Sequence, residues 1–514
     1  MHGEQKAAKS FFPEKGIYLF IILITLFAGA LAVRLYKVNA PPLDFHEVRQ
    51  FHSFLISRSF YYTSLSSIPE AEKEAALAAT PPLLEPPVIE YATSLLYRIF
   101  GGEIMVIPRL MSILFWLISA VFLYLLARDS LSPDSAIIAV SYYLFLPYGV
   151  WASRSFQPDP LMMMLFLAAS YRIFKYYRQP STRNLVTASI LGAAAAFIKP
   201  VVLFPLYGAF IAAGLTREGI RKTILGRDTI VFAVACAAPI IIYTVYAYFF
   251  AGFLKDQIGY RYIPDLYLSS TYWIYWYKLA VSVVGRWPLI LALTGWILLR
   301  PGMTKSFLMG LWIGYVIFGL VFNVHIYTHD YYHLMLIPFD ALSLSAAGSL
   351  LLERLATNNR ISRLGFWILL VSIILLSMHT SVAPLSDSDR FHARIRTDME
   401  IGDLIKHSKN TIYLDSYFGN RLEFYGIFAG IRWPRLEDIA HTVEAGKQPV
   451  RGKVLLDQLI KEKSPDYFVI SSVDEIEGQQ DLKETLESEY ALVANNPQYI
   501  IYDLKRRNPS RSTP

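Results

Sequence analysis

Residues Gly16 to Val33 form a run without a single charged side chain. Hydrocarbon offers no water to the backbone, so a spanning segment must bond its own N–H and C=O groups, as a helix does. The run is long enough for one crossing of a bilayer. No small-residue cleavage site follows it, so it reads as a retained helix and not a signal peptide. Ten further apolar runs lie near 104–126, 133–151, 158–177, 185–199, 200–215, 229–250, 279–299, 306–325, 332–352 and 363–384. Of the 514 residues, 54% are hydrophobic and 17% charged. That is too apolar for a soluble chain of this length. The fold class is therefore mainly α, a polytopic membrane protein of about eleven transmembrane helices. The single cysteine, Cys236, lies in an apolar run, which excludes a disulfide framework and a thiolate metal site.

The net charge of +7 is informative by position. Arg128, then Arg172, Lys175, Arg178 and Arg183, then Arg217, Arg221, Lys222 and Arg227 fall in alternate connections. Arg300 with Lys305, and Arg354 with Arg360 and Arg363, continue the series, and Lys6, Lys9 and Lys15 belong with it. The positive-inside rule puts these loops and the N-terminus in the cytoplasm and the other connections outside. An odd helix count puts the C-terminus outside too. The expected location is the plasma (inner) membrane.

Four parts follow. Residues 1–15 form a cytoplasmic segment. Residues 16–385 form the transmembrane domain, with a large outer loop at 38–103. Residues 386–505 form a small soluble α/β domain outside, and 506–514 a disordered tail. The large loop opens with Ala40-Pro41-Pro42. Val48, Phe51, Leu55 and Ser59 then recur at helical spacing, which predicts an amphipathic helix lying on the outer surface. A second outer loop near 251–278 is dense in Tyr and Trp, as at a bilayer interface. In the C-terminal part RIRTDMEIGDLIKHS and DLKETLESEY read as helices. TIYLDSY, DYFVISS and YIIYDLK read as strands.

Polar residues gather at the outer ends of several runs. LDFHEVRQF brings Asp44, His46, Glu47 and Arg49 within six positions. LLEPPVIEY carries Glu85. WASRSFQPDPL carries Arg154, Gln157 and Asp159. FIKP carries Lys199, and NVHIYTHDYYHL carries His325, His329, Asp330, Tyr331 and His333. Each has a plainer use. Asp44 and Glu47 have the spacing of a capping box. Glu85 before two prolines can start a helix. Arg154 and Lys199 can snorkel to the interface or meet lipid headgroups. Asp159 can cap a helix, and the histidines can be interfacial. Their convergence on one face says more, because ionisable groups at membrane depth are costly and tend to be functional. A carboxylate can serve as a general base or hold a metal, and a guanidinium can grip a phosphate. An acid beside such cations suits a substrate with an apolar tail and an anionic head.

PLDFHEVRQF, LLEPPVIEY, SRSFQPDP, FIKP and HDYYHL, in this order, resemble the C-type integral-membrane glycosyltransferases (GT-C). The likeness is to the branch of the protein O-mannosyltransferases and the bacterial aminoarabinose transferase of lipid A. It covers residues 15–384, and the tail more loosely. Members usually open the large loop with Asp-Glu and then Arg. Here His46-Glu47 precedes Arg49, and Asp44 stands two positions earlier. Either Asp44 or Glu47 is then the base, with Asp44 favoured.

The resemblance implies a polyprenyl-phosphate sugar donor, an acceptor (lipid, glycan or protein) outside the membrane, and inverting transfer. Asp159 would orient the acceptor or the sugar. Arg154, Lys199 and Arg261 are the candidates for the donor phosphate. His46, Arg49, Glu85, Gln157, Asp330 and Tyr331 are the further candidate binding residues. A divalent metal is an open expectation, with Glu85, His325 and His333 as candidate ligands. The partners are membrane lipids and these substrates, not nucleic acid. No phosphate-cradling glycine loop with its lysine is present, which argues against a nucleotide-sugar donor. The rival readings are a transporter or flippase of lipid-linked glycans, and a ligase or polymerase using a diphosphate-linked oligosaccharide.

Overall fold

A computed structural model describes residues 10–255, 262–357, 360–386, 388–444 and 448–508, and every apolar run named above is helical in it. Not every run is a full span. Among the described residues seven helices are long and apolar enough to cross a membrane, or up to nine if each of two bent pairs is one span. The expected eleven spans are not confirmed, for local reasons. Helices Pro133–Phe145 and Pro147–Ser153 meet at a bend of 64°. Leu146 between them is extended (φ −58°, ψ 123°), as the residue before a proline is biased to be. Helices Ser270–Val284 and Arg286–Leu298 bend by 93° at Gly285, whose φ of 85° suits glycine. Helix Thr182–Ile198 has only 17 residues and stops at Lys199-Pro200. Helix Asp159–Arg178 carries Asp159, Arg172, Lys175 and Arg178.

The chain divides into two units. The helical unit comprises Met1–Val38, Pro82–Ile89 and Val106–Ser386. The loop–tail unit comprises Asn39–Pro81, Glu90–Met105 and Asp387–Pro514.

In the helical unit, helix Ile17–Leu35 leaves Tyr18, Phe20, Ile21 and Ile24 exposed, and helix Arg360–Val382 leaves Ile368, Ile373, Leu375 and Leu376 exposed. Such stripes are unfavourable in water and natural against acyl chains. Lipid gives helices no hydrophobic reason to associate, so close backbone packing does the work. Helices Leu203–Glu218 and Met303–Val321 show it. A Cβ on Gly208 would stand 2.1 Å from the Gly310 carbonyl oxygen, and one on Gly310 would stand 2.1 Å from that of Gly208.

The loop–tail unit is built on a five-stranded sheet in the order β2-β1-β3-β5-β4. The strands are β1 (Thr411–Leu414), β2 (Gly430–Arg432), β3 (Tyr467–Ile470), β4 (Tyr490–Asn496) and β5 (Tyr499–Arg507). β1 pairs in parallel with β2 and β3, while β5 runs antiparallel to β3 and β4. Alternate residues feed two cores, as the strand period requires. Ile412, Leu414, Phe468, Ile470 and Tyr502 pack with Trp433, Leu456, Leu482 and Leu486. Tyr413, Val469 and Ile501 pack with Ile401, Ile405 and Leu422 on the other side. The three expected strands and both expected helices are present. The short β2 and the edge strand β4 join them.

The large loop belongs to this same unit, which alters one expectation. Helix Glu47–Tyr62 is packed into the unit along most of its length. Phe51, Phe54, Leu55, Ile56 and Arg58 are all buried. Phe51 and Phe54 each meet the Phe424 ring at 5.5 Å between centroids. Arg58 lies over that ring at 3.6 Å, donates to the Phe424 carbonyl, and pairs with Glu103 at 2.9 Å. The tail thus forms the other half of the core that buries the loop helix.

Candidate active site

In the loop–tail unit, helix Glu47–Tyr62 begins one residue after His46, which is in the left-handed region (φ 42°, ψ 60°) and makes no side-chain cap bond. The capping box expected from Asp44 and Glu47 is therefore not formed. Glu47, in the first turn, is held by two arginines of the tail. Arg394 reaches it at 3.3 Å and Arg421 at 3.5 Å. A carboxylate suits a helix N-terminus on electrostatic grounds as well. Arg421 also grips Asp398 with two bonds, Nε–Oδ2 at 2.6 Å and NH2–Oδ1 at 3.1 Å. Burial works against the Arg421 charge, but Asp398, Asp415 and Glu47 raise its pKa above the ordinary value. Both acids left open by the sequence stand at the start of this helix, and Glu47 is the one paired with arginines of the tail.

The tail holds two more buried acids. Burial pushes Asp415 up to about 6, against the pull of Arg421 and the Ser471 hydroxyl. Burial pushes Glu423 up to about 8, although it accepts from the Gly430 N–H at 3.1 Å.

In the helical unit the structure brings Asp159, Lys199 and Tyr331 together. Asp159 is the first residue of helix Asp159–Arg178. Lys199 ends helix Thr182–Ile198, and the following Pro200 opens a short 3-10 turn. Lys199 Nζ lies 2.8 Å from Asp159 Oδ1, and both side chains are 3% exposed. The same ammonium stands 4.9 Å from the Tyr331 ring centroid and 4.8 Å from that of Tyr332. Aromatic faces attract a cation, more so when it is desolvated. Asp159 Oδ2 accepts no hydrogen bond among the described residues.

Arg154 is buried and donates to the carbonyls of Tyr36 at 2.9 Å and Lys37 at 3.1 Å, where helix Ile17–Leu35 ends. Its own carbonyl accepts from Arg109 at 3.2 Å. Arg34 is buried too, bonded to Ser153 at 2.7 Å and to the Leu144 carbonyl at 2.9 Å. The sequence reading passed over Arg34 and Arg109. A buried charge within an apolar helix was the signal that could have found them.

Gln157 is buried, while Glu85 and Asp330 are half-buried. The Glu85 backbone carbonyl accepts from the Tyr243 hydroxyl at 3.2 Å. Arg49 and His46 sit at the start of the loop helix with Asp44. Arg261 lies outside the described residues.

The residues do not fit the expected metal. Among the described residues no three His, Cys, Asp or Glu side chains are grouped to hold one. Both nitrogens of His333 are engaged, Nδ1 with Tyr315 Oη at 2.6 Å and Nε2 with the Ile326 carbonyl at 2.8 Å. That pattern makes Nε2 the donor and Nδ1 the acceptor.

Residues 84–243 match the family described as dolichyl-phosphate-mannose-protein mannosyltransferase. No curated protein sequence matches the chain. Its structure is similar to that of ArnT from Cupriavidus metallidurans bound to undecaprenyl phosphate. The TM-score is 0.59 at 16% identity, over 93% of this chain and 97% of that one. It is also similar to the Archaeoglobus fulgidus oligosaccharyltransferase in complex with zinc and sulfate. There the TM-score is 0.54 at 12% identity, over 92% of this chain and 71% of that one. The same archaeal enzyme, AglB, with an inhibitory peptide and a dolichol-phosphate gives 0.54 at 11% identity, over 92% and 72%. The chain is thus a multi-pass membrane protein with a small C-terminal sheet domain, and its fold is that of the GT-C glycosyltransferases.

Proposed function

We propose that the protein transfers a sugar from a polyprenyl-phosphate donor to an acceptor hydroxyl on the extracytoplasmic face of the plasma membrane. The likeness of fold carries this reading, since the ArnT structure holds undecaprenyl phosphate. The acid-rich start of the large loop gives it its chemistry. Asp44 takes the proton of the acceptor hydroxyl. The oxygen attacks the anomeric carbon from the side opposite the phosphate and inverts it. The bond from that carbon to the phosphate oxygen breaks, and its electron pair leaves with the polyprenyl phosphate. A phosphate is a good leaving group, so positioning and charge stabilisation matter more than acid catalysis. Lys199, Arg154 and Arg261 offset the phosphate charge, and Asp159 orients Lys199 and a sugar hydroxyl. Glu47 keeps the loop helix on the tail. No metal has a step.

The test is release of free polyprenyl phosphate from a panel of lipid-phosphate monosaccharides by the full chain in nanodiscs, with cell-envelope extract supplying the acceptor hydroxyl. Asp44→Asn should lower the rate about 10²–10⁴-fold, as loss of a general base does. Full activity in that variant overturns the assignment of the base. Release only from a diphosphate-linked oligosaccharide overturns the donor class in favour of a ligase.

A further inference from the structure

The chain leaves β1 through Asp415 and Ser416 and enters three successive residues of positive φ, Tyr417 (55°), Phe418 (68°) and Gly419 (78°). Two of the three carry large side chains, for which this region is strained. The surroundings hold the turn in place. The Tyr413 hydroxyl donates to the Phe418 carbonyl at 3.2 Å, and a Cβ on Gly419 would stand 2.3 Å from the Tyr413 ring. Tyr417 and Phe418 are each 57% exposed in this turn. Strain held by a surrounding structure marks functional sites.

The position adds to this. The turn lies at the carboxyl ends of the parallel strands β1 and β3. From β1 the chain goes to β2 on one side and then to β3 on the other. In open α/β sheets ligands bind outside the strand ends at such a reversal. Ser471 bonds Asp415 there, and the Ser472 and Ser416 hydroxyls lie 3.4 Å apart. The Arg432 guanidinium stands 4.6 Å over the Phe418 ring. On its other side the turn packs against the loop helix, and Asn420 Nδ2 donates to the Val48 carbonyl at 3.0 Å.

We infer that Tyr417 and Phe418 form the acceptor platform, on which a sugar ring of a hydroxyl-bearing glycan stacks. This rests on the proposed transfer reaction. The turn contacts the first turn of the helix that follows Asp44, and a hydroxyl-bearing occupant there suits the proposed transfer. A sugar ring has an apolar C–H face and a hydroxyl edge. The rings match the first, and the half-buried Ser416 and Ser472 hydroxyls match the second. A bilayer surface fits less well. Arg432, the cation beside the Phe418 ring, is paired with Asp438 at 3.0 Å, which lessens its draw on anionic lipid.

The experiment uses the full chain in nanodiscs, with the carbohydrate fraction of a cell-envelope extract as probe. A control portion is oxidised with periodate, which cleaves vicinal diols. Tyr417→Ala and Phe418→Ala should each need about tenfold more extract for half-maximal stimulation of polyprenyl phosphate release. Phe418→Trp should keep the wild-type dependence. Unchanged extract dependence in both alanine variants overturns the proposal. So does a defect that follows the anionic lipid content of the nanodisc and not the extract. Hydrogen exchange over residues 413–421 reads binding without turnover. The untreated fraction should slow it in the wild type and the oxidised fraction should not; no slowing overturns the platform. Slowed exchange with no release from any donor leaves the platform and sinks the donor reading alone.

Discussion

Each unit buries an acid against a cation, and the two pairs are built differently. In the helical unit one ammonium meets one carboxylate oxygen, Lys199 Nζ to Asp159 Oδ1 at 2.8 Å, and the other oxygen accepts nothing among the described residues. In the loop–tail unit Arg421 takes Asp398 through two bonds and reaches Glu47 besides, which Arg394 also holds. A planar fork on a carboxylate fixes geometry, whereas an ammonium is a point charge on a flexible stem. The networked pair suits holding two segments together. The single contact, with a spare acceptor and two tyrosine faces beside it, leaves each partner freer to change its bonding.

The sharpest way to break this contrast is to remove the cation of the single pair. Lys199→Met leaves a buried carboxylate with no cation, which costs about 3–5 kcal/mol. Adding Asp159→Asn removes the uncompensated charge. Most of the apparent melting temperature in nanodiscs should return, while polyprenyl phosphate release stays lost. Recovery of release in the double variant would show that neither residue handles substrate. A single variant as stable as wild type would show that the pair is not dry.

Asp398→Ala tests the other side and should cost less, about 2–3 kcal/mol, the scale of hydrogen bonds to a charged group. Arg421 then still has Glu47. Hydrogen exchange should quicken at the first turn of helix Glu47–Tyr62 and on helix Ser388–Leu404, while the helical unit is unaffected. If Asp398→Ala destabilises more than Lys199→Met, the network does not share its charge and the contrast fails.

The same contrast explains what the sequence could tell. Apolar runs are local signals, so the helices were legible, as were β1, β3 and β5. What ended a span was less so. Gly285 and Pro147 turn single runs into bent pairs, and three residues of Gly-Ile-Arg gave no strand pattern for β2. Asp159 and Lys199 were legible as residues but not as a pair, since 40 positions and helix packing separate them. Glu47 is joined to Arg394 and Arg421 across 347 and 374 positions. No spacing rule reaches that far. The arginine partners of Glu47 were therefore not legible in the sequence.

Glu423 is a third way to hold an acid, with no cation bridged to it among the described residues, and it gives the smallest effect. It is 7% exposed, and burial raises it to about 8 from an ordinary value of 4.5. Between those two values the folded protein keeps a proton that the unfolded chain has lost. Stability from this group is therefore complete below pH 4.5, falls as pH rises, and levels off above 8. The full slope for one proton is about 1.4 kcal/mol per pH unit, and relaxation of the site will reduce it. Glu423→Gln keeps the acceptor for the Gly430 N–H and cannot ionise. It should therefore resist unfolding better than wild type at pH 8, by about 1–2 kcal/mol, and match it near pH 5. Exchange of the β1 and β2 amides across that range reads the effect within the tail of the intact protein. Parallel pH curves for the two proteins would mean that Glu423 ionises freely where it stands. A carboxylate without a cation would then be tolerated in this unit, and the arginines around Glu47 would serve to hold the loop helix on the tail.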